Sequence, residues 1–378
     1  MINKAFIKRH FFAALVISGT YILSPCKAKA QTEFKGLENL FTTPLNYVIH
    51  HADTAPVIDG DINDKAWKQA AWTTDFIDIE GGSKPTPTYS TKVKLLWDDT
   101  CLYIAAQLQE PNVWAYQTHH DDVVFRDNDF ELFINPNNSG HQYYEIEVNP
   151  INTIFDLFLG TPYRDLGNAM VNWNAEGLRS AIKVQGTVND PSDTDKGWTV
   201  EMAIPFKAIS LGNRAGRPHD GTWWRINFSR VEWDTNVKDG KYVKQTQPDG
   251  SPKPEHNWVW SPQGVINMHF PERWGYLLFS NNATGNTTFS MPYNEDQRRY
   301  LWLIYYREHM YYGDHKAYAL NLKDLGLNDK VTVDGKPNQL ELEATPHQFM
   351  GLITDEADHT PYTINQEGLV RKLNERGE

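Results

Sequence analysis

Cysteine is scarce in this sequence, and basic residues are outnumbered by acidic ones. The 378 residues include 2 Cys, 36 Lys or Arg and 48 Asp or Glu, for a formal net charge of −12 at pH 7. Two cysteines cannot build a disulfide framework. An acidic chain also lacks the basic surface that non-specific nucleic-acid binding requires.

Glycine-rich nucleotide-binding motifs and long apolar runs are missing as well. No GxGxxG, GxxxxGK[ST] or GxSxG motif occurs, which disfavours nucleotide-dependent and serine-hydrolase chemistry. Beyond the first 30 residues no apolar stretch approaches the length of a transmembrane helix. By contrast, 13 Trp, 18 Tyr and 17 Phe are many for this length, which excludes intrinsic disorder and disfavours an all-helical bundle.

The first 30 residues predict a secretory signal peptide. A basic start at residues 4–9 precedes a mostly apolar run at 11–23, and Ala28-Lys29-Ala30 has the small-x-small pattern of a cleavage site. Cleavage after Ala30 would leave 31 basic against 48 acidic residues, a net charge of −17, in a periplasmic, cell-surface or secreted protein. Lipidation at Cys26 is the alternative, which the preceding proline disfavours.

Short alternating strands separated by turn residues occupy residues 46–280, after a lead-in at 31–45. This pattern predicts a mainly β fold, an antiparallel β-sandwich with jelly-roll or immunoglobulin-like layers. A polar linker is predicted at 281–290, and a small α+β extension at 291–378. Within the extension, the pattern predicts a helix from Asn294, its N-cap, to about Tyr312.

Acidic residues crowd two neighbouring predicted strands. Asp129 and Glu131 share one face of the first strand, and Glu145 and Glu147 share one face of the second. Such carboxylates suit general acid–base work on a glycosidic bond, calcium binding, or hydrogen bonds to sugar hydroxyls. A solvated outer face remains the fourth interpretation. His119 to Asp122 is interpreted as a polar loop, because adjacent residues of an extended segment point apart.

Several tryptophans lie among loop-type residues. The most concentrated group is the segment His256 to Pro262, which contains Asn257, Trp258 and Trp260. A flat ring left open on a loop suits the C–H face of a sugar, while nearby amides and carboxylates satisfy its hydroxyls. Folding of these rings back onto the sandwich is the competing interpretation.

Three segments together resemble the family 9 carbohydrate-binding modules. They are Ala55–Trp67, with its Val57-Ile58-Asp59-Gly60 core, Asp127–Ile134 and Gly197–Pro205. Their order and spacing match the family across residues 46–280, and the extension falls outside it. The resemblance implies a β-sandwich that binds xylan- and cellulose-type sugars, with calcium bound in some members.

The resemblance also assigns site residues. It implies that a sugar lies between Trp260, three residues after Asn257, and Phe125, six residues before Glu131. Glu145 takes the place of the arginine that binds sugar in the family. Phe125 replaces a tryptophan of the family pattern, and position 128 carries Asn instead of Asp.

The predicted function is therefore a secreted protein that binds a neutral plant-type saccharide in support of carbohydrate catabolism. The predicted binding residues are Trp260, Asn257, Phe125, Glu131, Trp258 and Glu145. Calcium is the candidate cofactor, and no catalytic residue is assigned. The alternatives are a glycoside hydrolase that uses paired carboxylates, and a non-catalytic docking protein that meets a protein partner through the C-terminal extension.

Overall fold

The computed structural model of the chain describes residues 33–211, 216–282, 287–357, 359 and 361–373. The predicted signal peptide and the lipidation alternative at Cys26 lie outside these residues. The elements in chain order are β1 (Asn46–His51), β2 (Ile77–Asp78), β3 (Thr91–Trp97), β4 (Cys101–Gln109), β5 (Phe130–Asn135), β6 (Tyr143–Val148), β7 (Ile154–Leu159), β8 (Ala169–Met170), β9 (Arg179–Gln185), β10 (Gly197–Pro205), β11 (Trp223–Glu232), β12 (Thr235–Lys238), β13 (Lys241–Lys244), β14 (His256–Val259), β15 (Gly275–Ser280), α1 (Tyr293–His315), β16 (Lys330–Val333), β17 (Lys336–Thr345), β18 (Gln348–Asp355), β19 (Tyr362–Asn365) and β20 (Val370–Lys372). Short 3₁₀ helices include Val124–Arg126 and Tyr163–Asp165.

The first fifteen strands, apart from the β12–β13 hairpin, form one curled sheet of 13 strands. Its order is β8-β7-β6-β5-β11-β15-β1-β3-β4-β10-β9, with β14 beside β11 and β2 beside β14. Strand β1 runs parallel to both β15 and β3, and the other pairs are antiparallel. The mainly β fold is thus confirmed, and the consecutive strands β3–β4 and β5–β6 each form an antiparallel hairpin.

One face of this sheet encloses the main apolar core. Side chains alternate along each strand, so every second residue enters the core. In β4 these residues are Leu102, Ile104, Ala106 and Leu108, as their spacing predicts. Because strands from both ends of the sheet contribute, the curled sheet packs against itself as two layers. The single described cysteine, Cys101, is buried and has a free thiol.

A buried carboxylate fixes the segment that carries the first family-like motif. Glu201 Oε2 accepts hydrogen bonds from the backbone N–H groups of Asp59 (3.1 Å) and Gly60 (2.8 Å), and Oε1 accepts one from Trp67 Nε1 (2.5 Å). Gly60 has φ +87°, and a Cβ there would lie 2.8 Å from the backbone carbon of Ile182. Only glycine fits that conformation and space without strain.

The C-terminal extension consists of α1 and a five-stranded antiparallel sheet, β16 to β20 in chain order. The helix covers the predicted span, begins two residues earlier and ends three residues later. Its N-cap is Pro292 instead of Asn294, and the side chain of Gln297 donates to Asn338 Oδ1 at 2.8 Å. Among the described helices, none combines the length and apolarity that crossing a membrane requires.

The buried face of α1 contacts other parts of the same chain. Ile304 packs against Gly351 of β18, Tyr305 donates a hydrogen bond to Asp165, and Tyr306 donates one to Glu272. The apolar face of the helix is therefore occupied by the chain itself, and a protein partner that docks on another surface of the extension stays a prediction. Intramolecular burial explains the helical spacing of its aromatic residues.

Candidate functional site

A cavity of about 460 Å³ lies on the side of β5, β6 and β7 that points away from the main core. Because strand residues alternate, Glu131 of β5 and Glu147 of β6 both project into it, directly opposite each other in the strand register. We call this cavity the acidic pocket. The residues that line it and are used below are Phe125, Glu131, Glu145, Glu147, Tyr163, Glu255, Asn257 and His269.

Two aromatic rings of the acidic pocket are open to solvent. Phe125 is 40% exposed and Tyr163 is 44% exposed. Each sits on a short 3₁₀ helix beside the strands, one before β5 and one after β7. The backbone N–H of Phe125 donates to Glu147 Oε2 at 3.0 Å, which holds the ring next to the carboxylates. A partly exposed ring of this kind offers a flat apolar surface to a ligand.

Burial makes the carboxylates of the pocket hard to ionise. It raises the pKa of Glu131 to about 7. Burial and the neighbouring charge of Glu131 together raise the pKa of Glu145 to about 8. The same two causes raise the pKa values of Asp129 and Glu147 above their usual range. Near neutral pH the pocket therefore contains both protonated and ionised carboxyl groups, which donate as well as accept hydrogen bonds.

The imidazole of His269 closes one side of the acidic pocket. Its Nδ1 lies 2.9 Å from the hydroxyl of Tyr143, its Nε2 lies 4.0 Å from Glu145 Oε2, and its ring meets that of Tyr163 edge-on at 4.5 Å between centroids. Burial and the positive charge of Arg164 lower the pKa of His269 to about 4. The imidazole is thus neutral at pH 7 and supplies no counter-charge to the carboxylates.

Four of the six residues predicted from the sequence line the acidic pocket together. They are Phe125, Glu131, Glu145 and Asn257. Tyr163, Glu147, Glu255 and His269 join them without having been assigned to the site from the sequence. Glu147 had the same strand spacing as Glu145, whereas no spacing rule connects Tyr163 or His269 to the acidic strands.

The structure does not place Trp260 in the pocket. Its indole is 2% exposed and lies in the main core, 6.0 Å from the ring of Phe228. The prediction that a sugar lies between Trp260 and Phe125 is therefore wrong. The physical reason is strand alternation: the segment is extended, so residues 257 and 260, three apart, point to opposite faces of the sheet.

Trp258 also lies away from the acidic pocket. Its ring is 4% exposed, belongs to the main core, and stacks on His256. It borders a second cavity of about 270 Å³, together with Trp233, Glu110 and Glu232. The prediction that Trp258 shares a site with Glu131 and Asn257 is therefore wrong. Residues 257 and 258 are adjacent in an extended segment, so they point to opposite faces of the sheet.

The loop His119 to Asp122 brings one group of potential ligands together. His120 lies 3.0 Å from Asp121 Oδ1 through Nδ1 and 3.3 Å from Asp156 Oδ1 through Nε2. His120 and Asp121 are exposed and Asp156 is buried. The imidazole thus contacts two carboxylates, and the contact to Asp156 ties the polar loop to β7.

One known protein family matches the part of the chain that contains most of this pocket. The family described as “Carbohydrate family 9 binding domain-like” matches residues 58–252, which include Phe125, the acidic strands and Tyr163. Asn257, Trp260 and His269 lie beyond the matched residues.

Two curated relatives are similar to about half of the chain. Endo-1,4-beta-xylanase C of Paenibacillus barcinonensis is 27% identical over 212 residues, 54% of this chain and 16% of the relative. Exoglucanase XynX of Acetivibrio thermocellus is 28% identical over 197 residues, 52% of this chain and 15% of the relative. The matches thus span about one sixth of the length of these relatives.

A solved structure of a family 9 carbohydrate-binding module from Caldicellulosiruptor kristjanssonii, in complex with cellotriose, is also similar. It is 17% identical, with a TM-score of 0.42, and the likeness covers 65% of this chain and all of that chain.

Proposed function

Because the chain belongs to the carbohydrate family 9 binding domain-like family, we propose that it binds a neutral saccharide in the acidic pocket. The observation that carries this proposal is the combination of two exposed rings and several hydroxyl-binding groups around one cavity. Its volume of about 460 Å³ falls in the range of small-molecule sites.

In this proposal the rings and the polar groups have separate tasks. Phe125 and Tyr163 contact the apolar faces of the sugar, and Glu131, Glu145 and Asn257 bind its hydroxyls. The carboxylates also select for charge, because an anionic sugar would meet repulsion from the pocket and from a chain of net charge −12. Xylan- and cellulose-type chains are neutral, and the names of the two curated relatives, a xylanase and an exoglucanase, are consistent with such ligands.

Ring removal tests the proposal. We expect Phe125→Ala and Tyr163→Ala each to weaken binding of cello- or xylo-oligosaccharides by about 1–3 kcal/mol, roughly 5- to 150-fold in Kd, as the loss of an aromatic anchor does. Isothermal titration calorimetry measures the change. Tyr312→Ala is the matched control, since Tyr312 is 39% exposed on α1 and outside the pocket. Unchanged affinity in both pocket variants would move the binding site elsewhere.

Glycoside hydrolysis is the second candidate function, and one observation favours it. Carboxylate oxygens of Asp129, Glu131 and Glu147 lie within 4.8 Å of one another, and a retaining glycosidase keeps its two carboxyl groups at about 5–5.5 Å. Incubation with xylan and cello-oligosaccharides distinguishes the two functions. Released sugar that disappears in Glu131→Gln would support hydrolysis, whereas binding without release would support the binding module.

The wider role follows from the same proposal. A saccharide-binding protein with a cleavable leader would act outside the cytoplasm and hold polysaccharide fragments for carbohydrate catabolism. Sequencing the N-terminus of the mature protein tests the export step: a chain that starts at Gln31 supports signal-peptide cleavage, and one that starts at a lipid-modified Cys26 supports membrane anchoring.

A further inference from the structure

Arginine side chains line a cavity of about 180 Å³ where α1 packs beside β11 and β15. The four guanidinium groups belong to Arg225, Arg273, Arg298 and Arg299. We call this space the arginine cavity, and it shares no lining residue with the acidic pocket. In a chain of net charge −12, such a concentration of positive charge around one cavity points to an anion.

Each carboxylate that lines the arginine cavity already has a cationic partner. The pairs, with the nitrogen-to-oxygen distance of each, are Glu272 with Arg164 (2.7 Å), Glu295 with Arg225 (2.6 Å) and with Arg298 (2.9 Å), and Asp296 with Arg299 (4.0 Å). Arg273 is thus the one lining arginine that no carboxylate of the cavity neutralises.

Arg273 is buried, and its charge is uncompensated. The residue is 4% exposed, and its hydrogen bonds all go to neutral oxygens: Nε donates to the carbonyl of Gln263 at 3.1 Å, and Nη1 and Nη2 donate to the carbonyl and hydroxyl of Thr42 at 2.8 and 2.6 Å. Within the described part of the chain, no carboxylate oxygen lies within 4.0 Å of its guanidinium. Burial lowers the pKa of Arg273 to about 10, so the side chain is still charged at pH 7. A buried charge without a counter-ion costs stability, which an anion in the cavity would restore.

The rest of the lining selects the kind of anion. Leu40, Met291 and Trp302 give the cavity apolar walls, which suit an acid with a hydrocarbon body better than phosphate or sulfate. An engineered cavity of about 150 Å³ in another protein binds benzene. A volume of about 180 Å³ therefore accommodates one ring that carries a carboxylate. Thr42 and Thr43 line the cavity and are exposed to solvent, which gives a ligand a way in.

We propose that the arginine cavity binds a small organic acid, whose carboxylate accepts hydrogen bonds from Arg273 and whose apolar body contacts Leu40, Met291 and Trp302. Two of the five N–H groups of Arg273, one on Nη1 and one on Nη2, have no partner among the described residues and are available to the carboxylate. Charge-assisted hydrogen bonds of this kind are about twice as strong as neutral ones. The proposal does not depend on saccharide binding in the acidic pocket.

Isothermal titration of the full chain with sodium benzoate tests the proposal. Benzoate combines one ring with one carboxylate, and we expect saturable binding with a Kd at or below about 1 mM. Benzamide has the same shape without the charge, and phosphate has the charge without the apolar body. Both are expected to bind at least tenfold more weakly than benzoate.

Two cavity variants and one control locate the binding site. Arg273→Met removes the charge and keeps apolar volume, so it should weaken benzoate binding at least tenfold. Met291→Trp fills the cavity from its apolar wall, leaves Arg273 in place, and should weaken binding as much. Arg371→Gln replaces an exposed arginine on β20 and should keep the wild-type affinity. Circular dichroism verifies that each variant is folded.

The absence of saturable benzoate binding to the wild-type protein up to about 10 mM would overturn the proposal. Equal affinity for benzamide or for phosphate would also overturn it. Wild-type affinity in a folded Arg273→Met would do the same, and if that variant does not fold, Met291→Trp decides in its place. Equal benzoate affinity with and without saturating cellotriose would support a site separate from the acidic pocket, whereas competition between the two ligands would contradict it.

Discussion

Replacement of Trp260 by alanine is expected to lower the free energy of unfolding by about 3–5 kcal/mol, as removal of a fully buried tryptophan does. The indole packs in the main core, and its fit depends on a glycine. A Cβ on Gly275 would lie 2.4 Å from Cζ3 of the ring. Loss of the ring removes its buried apolar surface and leaves a void, and both add to the stability cost.

Urea denaturation followed by circular dichroism measures this effect. Trp260→Phe serves as the conservative variant and should cost less, because a smaller aromatic ring still fills part of the space. A loss below about 1 kcal/mol in Trp260→Ala, accompanied by loss of oligosaccharide binding, would instead identify Trp260 as a stacking ring. The stability readout thus decides between the role that the resemblance implies and the role that the structure shows.

Removal of Glu295 is expected to have an effect of similar size, through a buried ion pair. Glu295 is the third residue of α1 and 3% exposed, and its Oε2 accepts from Arg225 of β11 at 2.6 Å and from Tyr276 at 3.1 Å. In Glu295→Ala the guanidinium of Arg225 stays buried without its anion. Breaking one side of a buried pair costs about 3–5 kcal/mol, so we expect that loss in the free energy of unfolding.

A double variant separates the ion pair from the packing around it. Arg225→Met combined with Glu295→Met removes both charges of this pair and keeps apolar volume. Arg298, whose Nη1 lies 2.9 Å from Glu295 Oε1, loses its partner in either case, so the double variant should be more stable than Glu295→Ala alone. Glu341→Ala, an exposed carboxylate of the same extension, is the control and should change stability by less than about 0.5 kcal/mol. A loss in Glu295→Ala as small as that of the control would contradict the view that this pair joins α1 to the sheet.

The sequence predicted the strands well because their signal is local. Alternation in Lys92–Trp97, Leu102–Leu108 and Phe130–Ile134 specifies both the hairpins and the core face, and the structure follows it. Alternation also predicts one face of the first acidic strand for Asp129 and Glu131, and one face of the second for Glu145 and Glu147. It could not show whether these faces meet water or a cavity, because the answer depends on β14 and on the segment before β15, more than 100 residues later.

The aromatic residues of the site were harder to predict for the same reason. Asn257 and Pro262, which flank Trp258 and Trp260, predict a loop, yet the segment is extended and pairs with β11. Its alternation sends both indoles to the core and Asn257 to the pocket. Tyr163 gave no signal at all, because a 3₁₀ turn and a long-range contact with His269 bring it to the acidic strands.

A crystal structure of the protein with bound cellotriose would test the central claim most directly. The predicted result is density for at least one sugar ring in the acidic pocket, in contact with Phe125 or Tyr163 and hydrogen-bonded to Glu131 or Asn257. Density instead in the second cavity beside Trp258 and Trp233, with the acidic pocket free of sugar, would contradict the claim.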